Sequence, residues 1–394
     1  MRKAKKVVIA GAGIGGLTAA ACLLQRGIDV EVFEQSPSLG EVGAGIQVSA
    51  NAARVYRSID VLDELVNKGY SPTSYRFRLF DTGEVLQEIP LGDTYLTRHG
   101  VPYFTIHRAD LHQILVDRVM RLKADAICLG VKALGFDESE DRIRLNLDNG
   151  QFIEGDALIG ADGIKSAIRG QIIGATPPRY TGDASWRVIV PMDGMSHSVH
   201  VSTVDIWVGP GRHAVTYPLR QGKLTNFVGC VEKPHWNEES WVAKQPWVDL
   251  EKDFRGWHSN IRSIIDAADR DHCYCWAMND RVPVHNWSTR RATLLGDAAH
   301  PTLPYMAQGA AMAVEDAAVL ARSLEAFEVD EGLDIYSSHR SVRTERIVNE
   351  SFANRKLFHQ PTSQALRDAF AKRDMNQERT AWLFSYDPMH VALN

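Results

Sequence analysis

The chain predicts an α/β fold: a parallel sheet flanked by helices, interrupted by an inserted antiparallel sheet and followed by C-terminal helices. Three observations predict it. The opening stretch KVVIAGAGIGGLTAAACLLQRGIDVEVFE runs strand, glycine turn, helix and strand between Lys6 and Glu34. The central segments VHVSTVDIWVG, RHAVTYPLR and LTNFVGCVEK alternate with period two and are joined by GPG and QGK turns, as expected of an antiparallel sheet with one solvated face. RATLLGDAAHP then returns to a buried strand and GAAMAVEDAAVLARSLEAF to a helix. At 394 residues the chain exceeds the usual size of one domain. The order of segments predicts a discontinuous first domain (1–70, 101–180 and 285–335) around an inserted one (71–100 and 181–284), with a helical segment at 336–394.

Residues 7–25 carry no charge behind a basic start, the pattern of a secretory signal or membrane anchor. Gly11, Gly13, Gly15 and Gly16 interrupt that run where a membrane helix needs continuous backbone pairing, and no small-residue cleavage site follows. The glycines instead fit a Rossmann-like turn: Gly11 for tight reversal, Gly13 for backbone approach to a pyrophosphate, Gly16 for close packing of helix on strand. The helix N-terminus offers free N–H groups and a positive dipole end to phosphates. Glu34, eighteen residues beyond Gly16 and followed by Gln35, ends the second strand where a ribose can be held. These residues predict an adenine dinucleotide site.

Further along, GEVGAGIQVSANAARVY reads as a glycine-rich, cofactor-facing loop carrying the Gln47 amide, passing into a helix with Ser49 and Asn51 available as caps. SYRFRLF, GEVLQEI and PYFTIH read as strands, and a helix from Arg108 puts Leu111, Leu115, Val116 and Val119 on one face. Asp148-Asn149-Gly150 marks a hairpin. Glu238 to Ala268 reads as helical, as does the chain from Tyr336. HRSVRTERIVNESFANRK carries four arginines at helical spacing, read as a solvated helix face with a subunit contact as the other reading. RTAWLFSYDP is aromatic enough to pack on something. With 44 basic and 49 acidic residues (formal charge −5), nothing favours nucleic acid or an anionic membrane as partner. Five cysteines without metal spacing predict no metal site and a reduced, cytoplasmic protein, monomeric or homodimeric.

Three segments in order, the Gly11–Glu34 fingerprint, LIGADGIKSAIR and LLGDAAHPTLPYMAQGAAMAVEDA, resemble the single-component FAD-dependent aromatic hydroxylases, the family of 4-hydroxybenzoate, salicylate, 3-hydroxybenzoate and 6-hydroxynicotinate hydroxylases. The resemblance implies a Rossmann-like FAD-binding domain with an inserted substrate sheet. It implies FAD held by Gly11, Gly13, Gly16, Glu34, Gln35, Gln47, Arg108, Asp162, Asp297, Gly309 and Ala310. NADH or NADPH would be cosubstrate without a Rossmann domain of its own, and O2 would react through a flavin C4a-hydroperoxide. Read alone, Asp297 ends a buried strand, where it could also cap a helix, and Asp162 is a turn aspartate.

His213, Val215 and Tyr217 alternate on one strand and share a face. Hydroxylation needs an electron-rich ring, hence a group that takes the phenol proton, and His213 titrates near neutral pH. Their positions resemble substrate-pocket residues of the family, which implies catalytic roles for His213 and Tyr217, joined by Gln47 and Tyr305. The two last stand where histidines are expected from the 6-hydroxynicotinate enzyme, so the ring and its position stay open, as does accompanying decarboxylation. Arg187, Arg212 and Gln47 are unranked anchors for a substrate carboxylate. An FAD oxidase of a small amine or thioether and a non-catalytic flavin-binding regulator are the alternatives.

Overall fold

The computed structural model describes residues 3–40, 44–194, 202–235 and 244–393. Five parallel strands form one sheet in the order Ala292–Leu294, Ala157–Gly160, Lys6–Ala10, Asp29–Glu34, Ile127–Leu129. Val7, Val8, Ile9 and Ala10 are buried, as an apolar strand covered on both faces requires. Helix Ile14–Leu24 packs between helices Arg108–Leu122 and Gly309–Ala326. The turn into it is as tight as the glycines predict. Gly11 has φ +105°, and a Cβ there would lie 2.4 Å from the Ala161 carbonyl oxygen; one on Gly16 would lie 2.1 Å from the Gly11 carbonyl oxygen.

A second sheet has seven strands, ordered Tyr274–Asp280, Arg179–Pro191, Leu224–Glu232, Arg212–Leu219, Val204–Gly209, Ser74–Leu79, Val85–Pro90. It is antiparallel except where Val204–Gly209 runs parallel to Ser74–Leu79. The expected solvated face is absent from the described residues. Trp186, Ala214, Trp207 and Phe227 on one side are covered by helices Trp247–Asp253 and Ser259–Asp266 through Leu250, Phe254, Trp257 and Ile261. Gly229 allows that contact, since a Cβ there would lie 2.6 Å from Phe254 Cζ. The other side faces the first domain, so period-two alternation here separates two buried faces rather than core from solvent.

Other departures have local causes. The glycine-rich loop is in part a strand, Gly45–Val48, paired with Phe104–His107, a pairing with a distant segment that local glycine content hides. Strand Arg179–Pro191 and the short helix Asp93–His99 escape the sequence reading, the helix because Gly92 and Gly100 at its ends read as turns. Among the described residues of the tryptophan-rich stretch the first helix is Trp247–Asp253; its residues 238–243, like 41–43 and 199–201 of other quoted segments, lie outside the described residues. One helix spans Val329–Phe358 and so begins before Tyr336.

The arginine face of that helix is mostly not solvated. Arg340 is fully buried and bonds Glu315 and Asp316; Arg343 also bonds Glu315; Arg355 bonds Asp183, leaving Arg346 exposed. The partner acids lie on Gly309–Ala326 and the substrate sheet, and buried acids need paired cations. The aromatic tail packs within the chain: Phe384 lies edge-on to Tyr95 and Tyr103, and Arg343 sits 3.8 Å from the Tyr386 ring centroid.

Asp316 also accepts from Gly296 N at 3.0 Å and bonds His300 Nε2 at 2.6 Å, fixing the strand end that carries Asp297. Burial alone raises its pKa, but His300 and Arg340 together overcome this and hold it down to about 2. A depressed carboxyl stabilises the fold above its unfolded value and loses that contribution as pH falls through the folded one. Denaturant unfolding should therefore lose on the order of 2 kcal/mol through this group between pH 4 and 2. Asp316→Asn should be less stable at pH 7 and flatter across that interval.

Candidate active site

Between the two sheets lies a cavity of about 350 Å³. Gly13, Gln47, Arg108, Asp297, Gly309, Ala310 and Tyr217, all singled out in the sequence, line it, together with Arg187, Val215, Val228, Leu295 and Thr302. Each arrives for a structural reason. Gly13 and Gln308 are the N-caps of helices Ile14–Leu24 and Gly309–Ala326, and neither helix has a side-chain cap. Two positive helix ends with free amides therefore meet at the cavity. A Cβ on Gly13 would meet nothing within 4 Å, so this is open space beside the backbone.

Arg108 starts its helix, and burial lowers its pKa against the opposing charge of Asp297. Asp297 faces the open cavity from a surround of protein atoms. Burial raises its carboxyl pKa, with His300 and Arg108 opposing. It lies in the turn Gly296–Ala298, just beyond the strand Ala292–Leu294, and makes no capping bond among the described residues. Gln47 is held by the Tyr103 hydroxyl, which donates to its Oε1 at 2.6 Å and leaves the amide N–H groups for a ligand. Tyr217 packs so closely over Gly45 that a Cβ there would lie 2.4 Å from the ring. Asn226 locks the contact by accepting from Gly45 N at 2.8 Å.

Other predicted residues stand beside the cavity rather than on its wall. Gly11 and Gly16 shape the turn. Glu34 accepts from the Ala12 and Ser36 amides at 2.9 Å, and Gln35 is exposed. Asp162 Oδ2 accepts from Ala167 N at 2.8 Å, capping Ala167–Ile173, while its buried Oδ1 has no partner among the described residues. His213 and Tyr305 are not among the lining residues. The Tyr305 hydroxyl donates to buried Asp183 at 2.6 Å, and His213 Nδ1 lies 2.8 Å from His359 Nε2. The reason is register: Arg187, Val228 and Val215 form one cross-strand row on the cavity face, and His213 belongs to the next row with Cys230 and Ser185.

Register also ranks the carboxylate anchors. Arg187 projects into the cavity, with Trp276 5.5 Å from its guanidinium carbon and no carboxylate bonded to it among the described residues. Arg212 has the opposite parity and bonds the carbonyl oxygens of Asp253 and Pro210 on the far side. Tyr103, Asn226, Asp183 and His359 were not found from sequence, since each reaches the site from a remote segment by tertiary packing. Asp183, Glu232 and His359 bring three ligand atoms within 4.8 Å of one another. Arg355 bonds both acids, and its cation opposes a metal ion there.

Residues 4–351 match the family described as FAD binding domain. The chain is 34% identical over 392 residues to a 3-amino-4-hydroxybenzoate 2-monooxygenase of Streptomyces platensis, covering 98% of this chain and 97% of the relative. It is 35% identical over 387 residues to the 3-hydroxybenzoate 6-hydroxylase of Polaromonas naphthalenivorans, covering 97% and 94%. The crystal structure of Klebsiella pneumoniae HpxO complexed with FAD and uric acid superposes with a TM-score of 0.84 at 27% identity, covering 95% of this chain and 94% of that one. The chain belongs to the FAD-dependent aromatic hydroxylase family. It is a monooxygenase, and its cofactor is FAD. The site fits that group: two uncapped helix ends, open space at Gly13, and the unpartnered Asp162 Oδ1 are unfilled needs that a dinucleotide can meet.

Two substitutions separate cofactor from geometry. Asp297→Ala should lower the FAD content of purified protein, read from absorbance, by tenfold or more while leaving it folded. Gly45→Ala should retain FAD yet displace Tyr217, with turnover reduced by ~10-fold or more, as expected of a positioning error.

Proposed function

We propose that this enzyme hydroxylates a small aromatic or heteroaromatic acid bearing a ring hydroxyl, taking electrons from NADH or NADPH and one oxygen atom from O2, the other leaving as water. The observation that carries the reading is Arg187, a cavity-facing guanidinium without a carboxylate bonded to it among the described residues. A guanidinium beside Val228 and Val215, in a cavity also lined by Leu295 and Ala313, suits the carboxylate of a flat ring, with the Gln47 amide as second donor. It repels the cation of a small amine, which counts against the oxidase alternative.

FAD, when bound, supplies the electron transfer and O2 activation. The chain supplies orientation, dryness and proton handling. Burial raises the Tyr217 pKa, so its hydroxyl stays protonated and donates to a substrate oxygen. Burial, with His359 and Arg187 adding to it, lowers the His213 pKa well below its ordinary value, so the ring is neutral at pH 7; standing one row behind the cavity wall, it is the group to which we assign the proton of the ring hydroxyl, taken up at Nε2. Tyr305, engaged by Asp183, holds the His213 ring edge-on at 4.6 Å. The apolar wall excludes water, which would otherwise favour loss of reduced oxygen without hydroxylation.

We also assign FAD binding to 1–70, 101–180 and 285–335, substrate binding to 71–100 and 181–284, and treat 336–394 as a helical brace. No helix among the described residues is long and apolar enough to cross a membrane.

The test is NADH and NADPH oxidation by the yellow protein with a panel of hydroxybenzoates and hydroxypyridine carboxylates, products weighed by mass spectrometry. A compound that accelerates oxidation and gains one oxygen is expected; oxidation that yields only peroxide with every acid contradicts the reading. Arg187→Met should raise KM for that acid by ~10–100-fold, the loss of a charged hydrogen bond, with a smaller change in kcat.

A further inference from the structure

Glu232, His359 and His213 form an unbroken hydrogen-bonded file from the surface to the row beside the cavity. Glu232 Oε1 lies 2.9 Å from His359 Nδ1, and His359 Nε2 lies 2.8 Å from His213 Nδ1. The Glu232 side chain is 38% exposed, whereas the His359 side chain is 2% exposed and His213 1%. Arg355 Nη2 lies 3.3 Å from the same Glu232 oxygen. An ionised Glu232 accepts from His359 Nδ1–H, so His359 Nε2 must accept from His213 Nδ1–H. That order leaves His213 Nε2 as the bare nitrogen, with no bond to another group among the described residues.

We propose that His359 and Glu232 are the exit path by which His213 passes the substrate's ring-hydroxyl proton to solvent. This rests on the reading of His213 given above. The proton arrives at His213 Nε2; the proton on its Nδ1 moves to His359 Nε2; the one on His359 Nδ1 moves to Glu232 Oε1, which releases it to water. The return of one proton along the same atoms reprotonates the product oxyanion and restores the original tautomers, so the cycle balances. Without the path, a proton accepted by His213 would leave a charged imidazolium in a fully enclosed position, which burial strongly disfavours. His359 is the C-cap residue of Val329–Phe358, and the bonds that Arg355 of that helix donates to Asp183 on the sheet fix its place.

The experiment has two arms on FAD-loaded enzyme, with FAD content confirming each variant's fold. In the first, without substrate, ring-proton exchange with water is followed by NMR of histidine-15N protein. Glu232→Gln should slow exchange at His213 and His359 by tenfold or more; unchanged exchange overturns the path. In the second, 3-hydroxybenzoate is mixed with enzyme in weak buffer containing a pH indicator, with binding followed by the flavin spectrum. His359→Gln should bind with Kd within threefold of wild type and release its proton at least tenfold more slowly, with added imidazole restoring the rate. Release at the wild-type rate overturns the proposal. If 3-hydroxybenzoate leaves the flavin spectrum unchanged, the substrate reading fails for that acid, and the exchange arm still decides the path.

Discussion

Two helices begin at the same cavity with no side chain capping either of them, and the rest of the architecture serves that arrangement. Free amides at a helix start carry a partial positive charge and need acceptors. The glycine turn Gly11–Gly16 and the strand end at Leu294 bring the two starts together from segments far apart in the chain. Parallel strands make this possible, because each delivers its carboxyl end, and the helix or turn that follows, to the same edge of the sheet. The residues nearest the cofactor are accordingly set by backbone geometry more than by side-chain chemistry.

The substrate side follows a different rule. There the chemistry comes from side chains on rigid strands, and cross-strand register decides which of them meet: Arg187 shares a row with Val228 and Val215, while Arg212 is turned away. Charges buried near this wall are held by partners from the last helices, as Asp183 by Arg355, and Glu315 and Asp316 by Arg340. Helix Val329–Phe358 thus fastens both the cofactor helix and the substrate sheet. Breaking one member of such a buried set leaves an uncompensated charge, which costs about 3–5 kcal/mol.

Much of the first domain was legible because its signals are local. Asp29–Glu34 and the hairpin at Asp148–Gly150 emerge where periodicity and turn residues place them, and two short motifs brought Gly13, Asp297 and Gly309 to one wall. What stayed hidden depends on pairing between distant segments. Nothing around Gly45 announces its partner at His107, and nothing around His359 announces Glu232. The arginines of the long helix were misread for the same reason: helical spacing shows that they share a face, and only packing shows that buried acids stand opposite. His213 illustrates both sides, since alternation correctly put it on the face of Val215 and Tyr217, while its distance from the cavity wall is a matter of row.

A crystal structure of the FAD-loaded enzyme with a bound hydroxylated aromatic acid tests the central claim most directly. The account predicts flavin between the two uncapped helix starts and beside Asp297, with the acid's carboxylate on Arg187. Flavin outside that cavity, or an acid whose carboxylate turns away from Arg187 while turnover is retained in the crystal, would contradict it.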